Sequence, residues 1–270
     1  MSSAQHSESW VVKTSPGGTT AGSDRVREVT RGPDLPEAAY REVIYRLAAA
    51  SELRDDETGN HIARMASNAY LIGRELGLGR AFLSTLLLAS PMHDLGKIGI
   101  PDAILLKPGR LTRSEFDMVK EHTLIGARML SGSQSPLLRT AETIARTHHE
   151  SFDGRGYPHG LMGDAIPLTG RITAVADVFD ALTSPRPYKT AYPVEAAVDI
   201  IIRGSGTHFD PEVVRAFQQG LDKIVEVRSE FEDHFPMTGR GASAGSGGGV
   251  VHKLAALETR FLREEEEAPV

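Results

Sequence analysis

From Tyr40 to Phe217 apolar residues return at intervals of three and four, and no stretch alternates apolar and polar residues with period two over the length of a strand. This constrains the fold more than any other feature, because period two presents one face of a pleated sheet whereas three-four spacing presents one face of a helix. Tyr40, Val43, Ile44, Leu47 and Ala48 make one such face, opened by Asp34 as a capping residue and Pro36 in the first turn. Ile62, Met65, Ala66 and Ala69 repeat it within 59–76. Further helices are expected over 81–95, 113–130, 136–149, 171–182, 194–202 and 211–217. The fold class is therefore all-α, with helices burying their apolar stripes against one another.

Glycine- and proline-rich joins connect these segments at 96–109, 153–167 and 183–193. The middle one follows Phe152 with Asp153-Gly154-Arg155-Gly156-Tyr157-Pro158, and long turn-rich loops in compact domains are often functional. Residues 1–33 are polar and without periodicity and are expected to be disordered. The folded domain is expected over 34–236, a Gly/Ser-rich linker over 237–249, and a short amphipathic helix with an acidic tail over 250–270. Val250, Leu254, Leu257 and Phe261 follow the spacing of a coiled-coil seam. That helix either docks on the body or pairs with a second copy in a homodimer.

Composition removes several function classes. There are no cysteines, so disulfides, thiolate metal sites and cysteine nucleophiles are excluded, and any metal site must use histidine and carboxylates. The net charge is −6, with the run Glu264 to Glu267 supplying most of the excess; no basic stripe suits duplex nucleic acid or an anionic membrane. No apolar run approaches the roughly 20 residues of a membrane span, and the opening segment lacks the apolar core of a signal peptide. A cytoplasmic location is expected.

Eight side chains carry the chemistry. Glu57 and His61 are four apart, on one helical face, and can converge on one ion. His93 and Asp94 are adjacent at the end of an apolar helix, as are His148 and His149. Adjacent helical residues diverge by about 100°, so each pair shares an ion only at a helix end, or reaches two neighbouring ions. His122 lies within a helix, and a lone histidine is more often a hydrogen-bonded core or surface residue than a ligand. Asp177 stands among Ile172, Val175, Ala176, Val178 and Phe179, where a carboxylate without a cation or several donors is costly. Nitrogen and oxygen ligands at the ends and inner faces of successive helices suit a polynuclear site. Two cations about 3.5 to 4 Å apart can activate a bridging water as hydroxide, and Lys97, three residues after Asp94, is placed to hydrogen-bond that water.

Taken in order, His93-Asp94-Leu95-Gly96-Lys97-Ile98-Gly99-Ile100-Pro101, His148-His149-Glu150 and Gly154-Arg155-Gly156-Tyr157-Pro158 resemble the HD-GYP subgroup of the HD metal-dependent phosphohydrolases. Arg54 to Arg64 resembles the subgroup's opening motif, and Asp177-Val178-Phe179-Asp180-Ala181-Leu182-Thr183, with Arg186-Pro187-Tyr188-Lys189, its closing one. The resemblance covers about 36–219. It implies an HD-domain helical bundle with a metal centre between the helices. His61, His93, Asp94 and Asp177 would hold one ion, with Asp94 bridging to a second held also by His122 and His148, and Glu57 with His149 would serve a third. It further implies that Arg186 and Lys189 hold substrate phosphates and that Tyr157 lies near the nucleotide.

The activity so implied is hydrolysis of cyclic di-GMP to pGpG, with GMP as a further product, by two or three divalent ions, iron or manganese suiting the ligands best. Two other readings stand beside it: an HD phosphohydrolase for another nucleotide, and a non-catalytic module that senses cyclic di-GMP or docks a GGDEF diguanylate cyclase.

Overall fold

The computed structural model describes residues 37–52, 59–185, 190–231 and 247–266. Glu57, Arg186 and Lys189 lie outside the described residues, as do the segment 1–33 and residues 237–246 of the expected linker. Two compact units divide the chain, Met1–Tyr40 and Arg41–Val270, and the second holds the helical bundle. The described helices are α1 (Glu37–Glu52), α2 (Gly59–Glu75), α3 (Arg80–Ala89), α4 (Asp102–Leu105), α5 (Arg113–Leu130), α6 (Pro136–Thr147), α7 (Leu168–Thr183), α8 (Val194–Arg203), α9 (Pro211–Gln219), α10 (Leu221–Ser229) and α11 (Gly247–Glu266). Among the described residues there is no strand, only two isolated bridges. The fold is all-α, and none of these helices is long and apolar enough to cross a membrane.

Helix α2 is the axis of the bundle. It is buried on every side from His61 to Gly73 and packs against α3, α7, α9, α10 and α11, as a helix enclosed by others must. A second layer of α5 on α6, with α6 against α3 and α7, closes the other side. Helix α5 starts where expected because Thr112 accepts from the Glu115 amide at 3.3 Å while Glu115 accepts from the Thr112 amide at 2.7 Å, a reciprocal cap. Lys107 Nζ adds contacts of 2.7 and 2.8 Å to the same carboxylate, and together these bonds hold the Glu115 carboxyl down at about 2.

Several expected boundaries are corrected. The helix expected over 81–95 stops at Ala89 and continues as two 3-10 turns, Ser90–Met92 and Leu95–Gly99. Pro91 is the reason: it has no amide to donate and its ring would strike the carbonyl of the preceding turn. The helix expected to end at His149 ends at Thr147, and that expected from Arg171 begins at Leu168. Helix α10 was not expected, yet Ile224 and Val227 are buried there. Helix α11 begins at Gly247, three residues before the expected 250. Its Leu254, Leu257 and Phe261 are buried against α2 and α3, with the Phe261 ring stacked on Tyr70 at 4.2 Å. The seam is thus used on the chain's own body.

Candidate metal centre

The break after α3 brings His93 and Asp94 inward. His93 is held between the two 3-10 turns, its amide bonded to Ser90 O at 3.1 Å, and Asp94 precedes the second turn. Gly96 then lets this turn press onto α5: a Cβ there would lie 1.8 Å from the His122 carbonyl oxygen. That approach sets the Asp94 carboxylate beside His122. Likewise, a Cβ on Gly156 would lie 2.1 Å from the Ser151 amide nitrogen, so the 153–158 loop folds back over the His148-His149 end of α6. The buried Glu150 carboxylate fastens the fold-back by accepting from the amides of His159 at 2.8 Å and Leu161 at 3.0 Å.

Two groups result, each with ligand atoms within 4.8 Å of one another: Asp94, His122, His148 and His149, and His61, His93 and Asp177. Asp94 spans them. Its Oδ1 is 3.2 Å from His122 Nε2 and 3.6 Å from His148 Nε2. Its Oδ2 is 3.2 Å from His93 Nε2 and 2.8 Å from Lys97 Nζ. Asp177 Oδ1 lies 3.8 Å from His61 Nε2 and 3.9 Å from His93 Nε2.

The outer nitrogens decide what the inner ones can do. Nδ1 of His93 faces Ser90 O at 3.0 Å, Nδ1 of His122 faces Val119 O at 2.6 Å, and Nδ1 of His148 faces Ile144 O at 3.0 Å. A carbonyl only accepts, so in each neutral ring Nδ1 carries the hydrogen and Nε2 presents a lone pair to the cluster. His61 Nδ1 meets the Asp180 carboxylate at 2.8 Å in the same manner. His122 Nε2 and His148 Nε2 then face each other at 3.4 Å, and the buried His93 Nε2 and Asp94 Oδ1 have no hydrogen-bond partner among the described residues. Converging lone pairs with tethered outer nitrogens are what a cation needs, so these side chains fit the metal that the sequence implies.

Charge follows the same layout. Burial pushes the Asp94 carboxyl up, but the charges of Lys97 and then His93 hold it well below the ordinary carboxylate range. Burial, then the neighbouring His148 and His122, push His149 well below the ordinary histidine range. Tyr157, stacked at a tilt on His149 with centroids 4.7 Å apart, is pushed up by burial and by the charges of Asp94 and Asp177.

Three contributors were missed from the sequence. Asp180 is fully buried between His61 and Arg64, whose Nε donates to Oδ1 at 2.5 Å and Nη2 to Oδ2 at 3.0 Å. Arg64 in turn reaches the Phe231 carbonyl at 2.8 Å. Glu150 ties the loop. Asp180, like Asp177, is a carboxylate within an apolar helix, and the same signal could have found it.

The model of a family described as "HD domain" matches residues 43–213. The chain is 46% identical over 195 residues to a cyclic di-GMP phosphodiesterase response regulator of Xanthomonas campestris, covering 72% of this chain and 52% of that protein. It is 47% identical over 211 residues to a cyclic di-GMP phosphodiesterase of Thermotoga maritima, covering 77% and 57%. A 3'3'-cGAMP-specific phosphodiesterase of Vibrio cholerae is 40% identical over 200 residues, covering 74% and 38%. The chain thus spans about half the length, or less, of these curated relatives. A crystal structure of a cyclic GMP-AMP-specific phosphodiesterase of V. cholerae superposes with a TM-score of 0.50 over 82% of this chain and 61% of that one, at 18% identity, a likeness of fold alone.

Proposed function

Because the chain belongs to the HD domain family, we propose that it is a metal-dependent phosphodiesterase that hydrolyses cyclic di-GMP to pGpG, with GMP as a further product. One observation carries the reading: the inner nitrogens of His61, His93, His122 and His148 converge on the two groups that Asp94 spans, and each outer nitrogen is held by an oxygen. His61, His93, Asp94 and Asp177 would hold one ion, Asp94, His122 and His148 a second, and His149 with Glu57 a third. Iron or manganese suits such nitrogen and oxygen donors. Divalent cations so held supply Lewis acidity, lowering the pKa of water and offsetting charge on the diester.

The chain's own residues do the rest. Lys97, its ammonium 2.8 Å from Asp94 Oδ2, fixes that carboxylate and would donate to the leaving oxygen. Tyr157 walls the cluster on the side of His149. Arg186 and Lys189 would grip the phosphates, as the motif resemblance implies.

The test is turnover by the full chain, purified without oxygen and analysed for metal, on cyclic di-GMP, 3'3'-cGAMP and bis(4-nitrophenyl) phosphate. Cleavage of cyclic di-GMP to pGpG is expected, and Asp94→Ala should lose both bound metal and turnover, because it withdraws one carboxylate from two ions. A metal-loaded chain that binds cyclic di-GMP without cleaving it would be a sensor or a docking module instead. Preference for 3'3'-cGAMP is the second reading, favoured by the V. cholerae relative of that specificity.

A further inference from the structure

Phe116 belongs to the first turn of α5, which the Thr112–Glu115 cap and Lys107 hold rigid. Its ring is 45% exposed, and a single exposed phenylalanine needs no explanation. This one, however, has two neighbours that give it a use. It meets the Tyr157 ring nearly at right angles, at 79° with centroids 6.3 Å apart. The Lys120 ammonium lies 4.9 Å from the Phe116 centroid and 5.7 Å from that of Tyr157. Tyr157 is itself stacked on His149 at the metal groups. The rim of the centre on this side is therefore a corner of two aromatic faces with a cation over both.

Such a corner fits a purine, whose flat face stacks on one ring while its edge meets the other. Guanine fits best, because its O6 and N7 both accept, and a lysine ammonium carries only donors; adenine places an amino donor where guanine has O6. Lys120 can swing to reach such an edge. Its present partner, Asp117 Oδ1 at 2.7 Å, is a solvated ion pair, and such pairs hold weakly.

We propose that Phe116, Tyr157 and Lys120 form a guanine-binding corner at the rim of the metal centre, Phe116 and Tyr157 by stacking and Lys120 by reading the base's acceptor edge. The inference rests on the cyclic dinucleotide reading and adds two residues that determine specificity. The full metal-loaded chain is assayed on cyclic di-GMP, cyclic di-AMP and bis(4-nitrophenyl) phosphate. Phe116→Ala should raise KM for cyclic di-GMP on the order of tenfold, the scale of one lost stacking contact, with a much smaller fall in kcat, and Phe116→Trp should restore it. The loss on the generic diester, which has no purine, should be several times smaller. Lys120→Ala should reduce the preference for cyclic di-GMP over cyclic di-AMP by roughly tenfold.

If the wild-type chain cleaves cyclic di-GMP and Phe116→Ala keeps its KM, or loses equally on both kinds of diester, the corner is overturned and the function stands. An unchanged guanine preference in Lys120→Ala overturns the reading of the base. A wild-type chain that cleaves only the generic diester sinks the corner and the proposed function together.

Discussion

The two carboxylate oxygens of Asp94 face different partners, Oδ1 the imidazoles of His122 and His148 and Oδ2 His93 and Lys97, so one side chain ties both groups together. Behind the other end of the site, Asp180 does comparable work out of reach of any ligand, because it orients His61 through Nδ1 and compensates the buried Arg64 guanidinium. Asp180→Asn keeps the shape and removes the charge. It should destabilise the protein by about 3 to 5 kcal/mol, the scale for stranding one partner of a buried ion pair, and weaken metal binding roughly 10- to 100-fold, as expected when a histidine ligand loses its carboxylate. Thermal melts and chelator competition on the folded fraction read these separately; metal affinity equal to wild type would remove Asp180 from the centre. Residue identities at the site could be singled out in the sequence because the ten histidines are few and those singled out stand beside acids in motifs. The partners of their outer nitrogens were not. Ser90, Val119 and Ile144 contribute backbone carbonyls, which no residue type announces.

At the scale of elements, the periodicity of α2, α5 and α6 was plain because each carries an apolar stripe, whereas the helix expected over 81–95 ran through Pro91, beside which α3 stops. That misreading matters, since a continuous helix over 81–95 would splay His93 from Asp94, and the paired 3-10 turns let both face inward. Gly96 is what allows the second turn to touch α5. In Gly96→Ala the new methyl would meet the His122 carbonyl at 1.8 Å, and that atom is backbone in the middle of a helix, so the turn has to move away. The cost should be at least the roughly 1 to 3 kcal/mol of an overpacked core position. Asp94 moves with the turn, so metal content should fall as well. A variant with wild-type melting temperature and full metal content would show that the approach of the turn to α5 does not build the site. Helix α10 escaped notice for the opposite reason: it is short, mostly polar, and set off by Gly220, and only its packing on α2 makes it a helix of the core.

For the whole molecule the sequence left open whether the last helix serves a partner or the body, because an apolar seam has the same spacing in both uses; burial of Leu254, Leu257 and Phe261 answers it. What the bundle encloses sets its response to pH and metal. Without a cation, burial lowers the pKa of His148 and His208 and, with the neighbouring imidazoles, that of His149. Burial also pulls on His93, but the charge of Asp94 and then its hydrogen bond outweigh it and leave His93 raised. For a base lowered in the folded state, the unfolded chain takes up more protons as pH falls through the unfolded value of about 6.5, so stability falls with it. The largest of these displacements is that of His149, held well below the ordinary histidine range, and His148 and His208 move the same way, while the carboxyls of Asp94 and Asp180, held low, matter only at more acid pH. The metal-free protein should therefore melt progressively lower from pH 7.5 to 5.5. A bound cation adds RT ln(1 + [M]/Kd), roughly 2.7 kcal/mol at 100 times Kd, which in a domain of this size is about 5 to 10 °C. Protons compete for the same imidazoles, so that increment should shrink as pH falls. Melting curves with manganese and with chelator, taken at pH 7.5 and 5.5, test both statements. Equal melting temperatures at pH 7.5 would mean that the cluster holds no cation, and a metal increment that persists undiminished at pH 5.5 would mean that the cation is held elsewhere, by groups other than these histidines.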